Sequence, residues 1–195
     1  VDPSAPAAFF DSGLEYPWTY DMVAHYGVET IKPERSLPEM LRYGGYWGYE
    51  NPTDPDAEFD FFAFLVSEPA YRFIHSHGLA VDSMGLRSQE NVGRRIQLHK
   101  RGTLYQLRNG VWHLCPLAFW RLEDVWGYIA SRGLRYNEAY DRMADWGIDR
   151  SQQRVSTLLG SAALDQNSRI AFVRQCAPEI FRRLEAEFPM VRTFA

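Results

Sequence analysis

The chain has 195 residues, with 21 lysines and arginines against 25 aspartates and glutamates, a net charge of −4. That length holds one main α/β domain with a sizeable core, and the acidic balance gives no support for a nucleic-acid coat or a basic membrane-surface helix, although basic patches remain at 94–101 and 132–135. Cys115 and Cys176 are the only cysteines and form no C-x-x-C pair, which leaves a zinc ribbon, a cysteine-bound iron–sulfur site and a disulfide framework unsupported.

A reducing, cytoplasmic setting is expected from this cysteine usage. No apolar run approaches the roughly 20 residues that span a bilayer, and no secretory signal pattern is present. The chain begins at Val1 and within ten residues is already strand-like, so an upstream segment is expected to have been removed.

Ala7 to Phe10 reads as a short buried strand, ending in the turn signal Asp11-Ser12-Gly13. Pro17 suits the first turn of a helix that runs through His25 and stops at Gly27. Val28 to Ile31 is a second strand, followed by a helix over Leu37–Arg42 with Ser36 as its cap. Residues 44–60 are too rich in glycine, proline, aromatics and acids for either regular element, and read as a long functional loop or lid. Tyr43, Tyr46, Trp47 and Tyr49 would stack on a base or pack that loop down. Asp54, Asp56, Glu58 and Asp60 would bind magnesium with a nucleotide or form a solvated run.

A helix follows over 61–76, then a third strand over Leu79–Met84. That strand delivers Gly85-Leu-Arg87-Ser-Gln-Glu90-Asn91-Val-Gly-Arg94 to its C-terminal end, the edge where ligands of open α/β sheets collect. Glycine allows a close backbone approach, arginine forks fit tetrahedral oxyanions, and a helix opened by Ser88 or Gln89 offers free N–H groups. The segment therefore reads as an anion-binding corner; the alternative is a solvated helix start with a Glu90 to Arg94 pair at i,i+4 spacing. Asn109-Gly110 between Thr103–Leu107 and Val111–Leu114 signals a hairpin, expected as an antiparallel flap after a parallel core. Helices are expected over 122–131, 137–146, 151–159 and 166–188, the last broken at Pro178. His75 and His77, at i and i+2, do not face one another as metal ligands would.

Three segments in one order, followed by a fourth, resemble the phosphoadenosine-phosphosulfate reductase-like branch of the PP-loop adenine-nucleotide α-hydrolases. Asp11-Ser12-Gly13-Leu-Glu-Tyr16-Pro17-Trp18-Thr19 resembles D-T-G-x-x-[FY]-P-E-T, with serine for threonine and Trp18 for glutamate. Residues 85–94 resemble G-x-R-x-x-E-S-x-x-R, with Asn91 in the serine place. Pro116 to Trp126 resembles P-[IL]-x-x-W-x-x-x-D-V-W, and Tyr136-Asn137-x-x-Tyr140-Asp141 resembles Y-N-x-L-Y-D.

The resemblance implies an α/β fold with a doubly wound, mostly parallel sheet, a β-hairpin and a helical C-terminal region. Residues 1–120 would form the nucleotide-binding domain and 121–195 a helical region packed on it. Asp11, Ser12 and Gly13 would line the nucleotide site. Gly85, Arg87, Glu90 and Arg94 would form its other corner, with the two arginines facing a phosphate or sulfate. Trp120 and Trp126 read as packing, and Asp124 as a local cap or pair. The ligand implied is ATP or a PAPS-like adenine nucleotide, with Mg²⁺.

The family's S-G-G-K-D-S loop, on the central first strand, has no counterpart here. Opening a buried sheet at its middle leaves unmatched backbone groups at about 1–3 kcal/mol each, so a P-loop-bearing segment is expected, upstream or on a separate chain. An oligomer is compatible with that. The reductases' C-terminal cysteine motif is also absent, and Cys176 reads as a structural thiol.

Three functions follow from the resemblance. The first is an enzyme that splits ATP between its α- and β-phosphates and adenylylates or thiolates a second substrate in sulfur metabolism or nucleic-acid modification. The second is a non-catalytic nucleotide-sensing or scaffolding subunit. The third is a sulfonucleotide reductase that borrows a thiol from another chain.

Overall fold

In the computed structural model the described residues are 4–44, 61–107, 109–155 and 167–194. They divide into two compact units, one of Val1–Tyr71 with Asn137–Ala195 and one of Arg72–Tyr136.

In the first unit, strand β1 (Ala8–Phe10) leads through a loop into helix α1 (Pro17–Tyr26), strand β2 (Glu29–Ile31) and helix α2 (Leu37–Tyr43). Strands β1 and β2 are parallel, with Ala8, Phe9 and Phe10 opposite Glu29, Thr30 and Ile31. The helix between them is the crossover that a parallel pair requires. Pro17 opens α1, and Gly27 ends it in the left-handed region at φ 62°. At α2, Ser36 and Glu39 exchange side-chain and backbone hydrogen bonds in a capping box, which also holds the Glu39 carboxyl below its usual range. Residues 61–76 are helical as expected, but Ala63–Ser67 form a π-helical turn before helix α3 (Glu68–Ser76).

The core of this unit is largely helical. Leu14 and Tyr16 from the loop after β1 pack with Leu37, Met40 and Leu41 of α2 and with Met143 of helix α6 (Ala139–Asp145). Ile170 and Val173 of helix α7 (Asn167–Cys176) and Ile180 and Leu184 of helix α8 (Pro178–Glu187) complete it. The break expected at Pro178 falls between α7 and α8, because proline starts a helix well and continues one badly. Residues 151–155 depart from the expected helix. A 3-10 turn over Arg150–Gln152, set by the Asp149 side chain accepting from Ser151 N–H, gives way to extended backbone at Gln153. The rest of that predicted helix, the acidic run 54–60 and Tyr46, Trp47 and Tyr49 lie outside the described residues.

The second unit carries strand β3 (Val81–Ser83), helix α4 (Val92–Arg101), strands β4 (Leu104–Gln106) and β5 (Trp112–Leu114), and helix α5 (Leu122–Arg132). The hairpin is not a separate flap. Strand β5 pairs antiparallel with β4 on one side and parallel with β3 on the other. Tyr105, Asp82 and His113 share one face of this sheet, and a small core of Leu98, Tyr105, Cys115 and Ala118 forms there. Helix α4 starts later than predicted, at Val92 rather than near Ser88, because Asn91 accepts from Arg94 N–H at 2.8 Å and caps it. Arg94 therefore sits in the first turn.

The described residues thus form an α/β chain with parallel strand pairs, a hairpin and a helical C-terminal part. The backbone pattern also leaves an edge open in each sheet. Glu29 N–H bonds to Ala7 and Asp11 N–H to Ile31, so Ala8 and Phe10 turn their backbone groups away from β2, where no described strand pairs with them. On β3, Trp112 N–H bonds to Ala80 and Met84 N–H to Leu114, which turns Val81 and Ser83 outward in the same way. No helix among the described residues is long and apolar enough to cross a membrane.

Candidate functional site

The predicted residues form two corners, one in each unit, and each lies just past the C-terminal end of a parallel strand. At the first corner, Asp11 Oδ1 accepts from Gly13 N–H at 2.9 Å, an Asx turn that folds the chain sharply off β1. The same oxygen accepts from the Tyr20 hydroxyl at 2.6 Å. Burial first, and then the Asp11 carboxylate, push the Tyr20 phenol far above its usual range, so Tyr20 stays a donor. Gly13 takes φ 90°, a conformation that L side chains rarely adopt.

Ser12 is buried. Its hydroxyl donates to Glu15 Oε1 at 2.7 Å, and its carbonyl accepts from Leu37 N–H at 2.9 Å. The Ser12 hydroxyl is therefore spent on shaping the turn. Trp18, at the place of the family's glutamate, packs on Tyr16 and lies under the Arg142 guanidinium at 4.4 Å from its ring centre. Asn137 of the Y-N segment donates to the Thr19 hydroxyl at 2.9 Å and so ties the two family segments together.

At the second corner, Arg87 and Arg94 converge on one carboxylate. Glu90 accepts from the Arg94 guanidinium across one turn, and its other oxygen stands 3.5 Å from Arg87 Nε. Arg87 and Glu90 are mostly shielded, while Arg94 is more open, with 39% of its side chain accessible. Glu90 also accepts from Arg87 N–H at 3.3 Å. The Glu90–Arg94 pair of the second sequence reading is present, and Arg87 stands against the same carboxylate.

The segment after β5 braces this corner. Ser88 N–H donates to Ala118 at 2.8 Å, and Gln89 Oε1 accepts from Leu122 N–H at 2.7 Å. Gly85 has Leu117 within 4.0 Å of where a Cβ would stand. The bracing therefore comes from backbone atoms at Ala118 and Leu122. Trp120 and Trp126 are half-buried and meet Tyr128 and Tyr136 edge-on. Asp124 caps α5 by accepting from Arg121 N–H at 2.8 Å.

Sequence reasoning missed a polar pair behind this corner. His113 Nδ1 stands 3.3 Å from Asp82 Oδ2 across the β3–β5 pair, with the imidazole stacked on Tyr105. Burial raises the Asp82 carboxyl, against the pull of His113, and burial also raises the thiol of Cys115. Cys176 is raised by burial too, which fits the structural reading of that thiol. His77 Nδ1 lies 3.1 Å from the Phe73 carbonyl, and no group of three potential metal ligands occurs among the described residues. No described residue is therefore assigned to magnesium.

Parallel strands ending in a glycine turn and in an arginine-bearing turn make this an α/β chain, and in open α/β sheets ligands collect at the C-terminal strand ends. The phosphoadenosine phosphosulfate reductase domain model matches residues 1–184, and the chain belongs to that family. Adenosine 5'-phosphosulfate reductase 2 of Bacillus subtilis (strain 168) is 27% identical over 151 residues, covering 73% of this chain and 59% of its own length. Adenosine 5'-phosphosulfate reductase of Geobacillus kaustophilus is 26% identical over 151 residues, with the same coverage of 73% and 59%. The chain thus spans about three fifths of these relatives, 59% of each. A crystal structure of phosphoadenylyl-sulfate reductase from Candida auris, a phosphate complex, aligns with a TM-score of 0.48 and 24% identity over 72% of this chain and 64% of that one.

Proposed function

We propose that this chain is an adenine-nucleotide-binding enzyme domain of sulfur-related metabolism, whose ligand carries a phosphate or sulfate. The observation that supports it most is the Asp11–Gly13 turn, where Gly13 at φ 90° and the doubly engaged Asp11 carboxylate build a rigid corner at a strand end inside the family match. Arg87 and Arg94 supply the cationic groups suited to the anionic end of such a ligand.

The chemistry proposed is cleavage of ATP between its α- and β-phosphates with adenylyl transfer, using Mg²⁺ bound with the nucleotide phosphates. The pyrophosphate grip is proposed to come from a P-loop-bearing segment or chain, for which an open strand edge such as that of β1 is a suitable receiver. The relatives' names favour a second reading, reduction of a sulfonucleotide. In that case we propose that the attacking thiol comes from another chain, and the upward push of burial on the Cys115 and Cys176 thiols fits that reading.

Product analysis with the full-length protein tests these readings. Pyrophosphate and adenylate from Mg-ATP support the first, and sulfite from an activated sulfonucleotide with a dithiol donor supports the second. Binding without either product leaves a nucleotide-sensing subunit, and no binding of any adenine nucleotide contradicts all three.

A further inference from the structure

We propose that Arg183 of α8 is a positioning residue for the Asp11–Gly13 corner: it fixes the Gly13 carbonyl and thereby sets the affinity of that corner for its nucleotide. The inference rests on the adenine-nucleotide reading above and extends it to a residue outside every family segment recognised in the sequence.

Arg183 Nη2 donates to the Gly13 carbonyl at 2.8 Å, across 170 positions of sequence. The contact is held from both ends by the same core, since Leu184 and Leu14, the chain neighbours of the two partners, are each 1% exposed within one cluster. Ile180 and Phe181 bury the adjoining face of α8, which leaves Arg183 on its flank toward the turn. With this bond in place, four backbone groups of the corner are held. Asp11 N–H bonds to Ile31, the Ser12 carbonyl to Leu37, Gly13 N–H to Asp11, and the Gly13 carbonyl to Arg183.

Removing the last of these frees the Gly13–Leu14 peptide plane to rotate, the motion a positive-φ glycine permits most easily. Arg183 has no carboxylate partner among the described residues, so its charge is not consumed in an ion pair. That charge is felt at the corner, where it opposes the upward shift of the Tyr20 phenol.

The test compares wild type, Arg183→Lys and Arg183→Ala by calorimetric titration with adenosine 5'-phosphosulfate and with ATP, beside thermal unfolding and rescue by methylguanidinium. The expected result is a loss of about tenfold in affinity for Arg183→Ala, as befits a charge-assisted hydrogen bond. Methylguanidinium restores much of it, Arg183→Lys restores part, and the midpoint of unfolding changes little. Equal affinities in all three proteins overturn the proposal. So does a loss that follows the unfolding midpoint and that methylguanidinium does not rescue, since that is a purely structural role. A wild type that binds neither nucleotide overturns the functional reading itself, which separates that failure from this one.

Discussion

Glu90 holds the Arg94 guanidinium across one turn of chain, and the same carboxylate faces Arg87 Nε at 3.5 Å. One acid thus faces two arginines and cancels part of their charge. Oxyanion-binding arginines repel each other when left bare, so a carboxylate between them offsets that cost.

Replacing Glu90 by Gln keeps the shape and removes the charge. The expected outcome is tighter binding of inorganic phosphate or sulfate by about three- to tenfold at low salt, with the gain fading as ionic strength rises. Thermal stability should fall slightly through the lost pair. Anion titration of wild type and Glu90→Gln at two salt concentrations checks this, and an unchanged or weaker affinity would show that Glu90 itself contributes to the ligand contact.

Gly13→Ala puts a Cβ where the nearest atom, the Ser36 Cβ, lies 4.0 Å away, so space is not the obstacle. The cost is conformational, because φ 90° suits glycine and not alanine. A destabilisation of about 1–3 kcal/mol is expected. Denaturant unfolding of the variant measures it, and a change within error would mean that the turn relaxes without penalty.

The Asp82 carboxyl gives a pH dependence with a definite sign. Burial raises it in the folded protein, so between the ordinary aspartate value and the raised one the native state holds a proton that the unfolded state has released. Its stabilising contribution is complete below the ordinary aspartate range and is lost as pH rises through the raised value. Asp82→Asn should flatten the stability profile across that window, and parallel slopes for the two proteins in denaturant titrations at several pH values would refute the assignment.

The elements that local chemistry determines were legible in the sequence. Asp11-Ser12-Gly13 announces a turn because an Asx bond and a positive-φ glycine are properties of neighbouring residues. Ser36 and Gly27 mark helix ends for the same reason. Choosing the start of α4 failed because Ser88 and Asn91 are both good caps, and which one serves depends on Ser88 being drawn to the Ala118 carbonyl.

What the sequence could not show are the contacts that fold distant segments together. The Asp82–His113 pair exists only because β5 aligns in parallel with β3, and a hairpin signal at Asn109-Gly110 predicts only the β4 partner. Arg183 looks like any exposed helical arginine until α8 is packed beside Leu14. That Arg87 and Arg94 belong to one corner was implied by the family resemblance, but their shared use of Glu90 needed the geometry.

The most direct measurement is the affinity of the full-length wild type and Arg87→Ala for adenosine 5'-phosphosulfate and ATP by calorimetric titration. Wild type should bind an adenine nucleotide, and Arg87→Ala should bind it weaker by several-fold or more, with its fold intact by circular dichroism. Equal affinity in the two proteins, or no binding by wild type, would contradict the account.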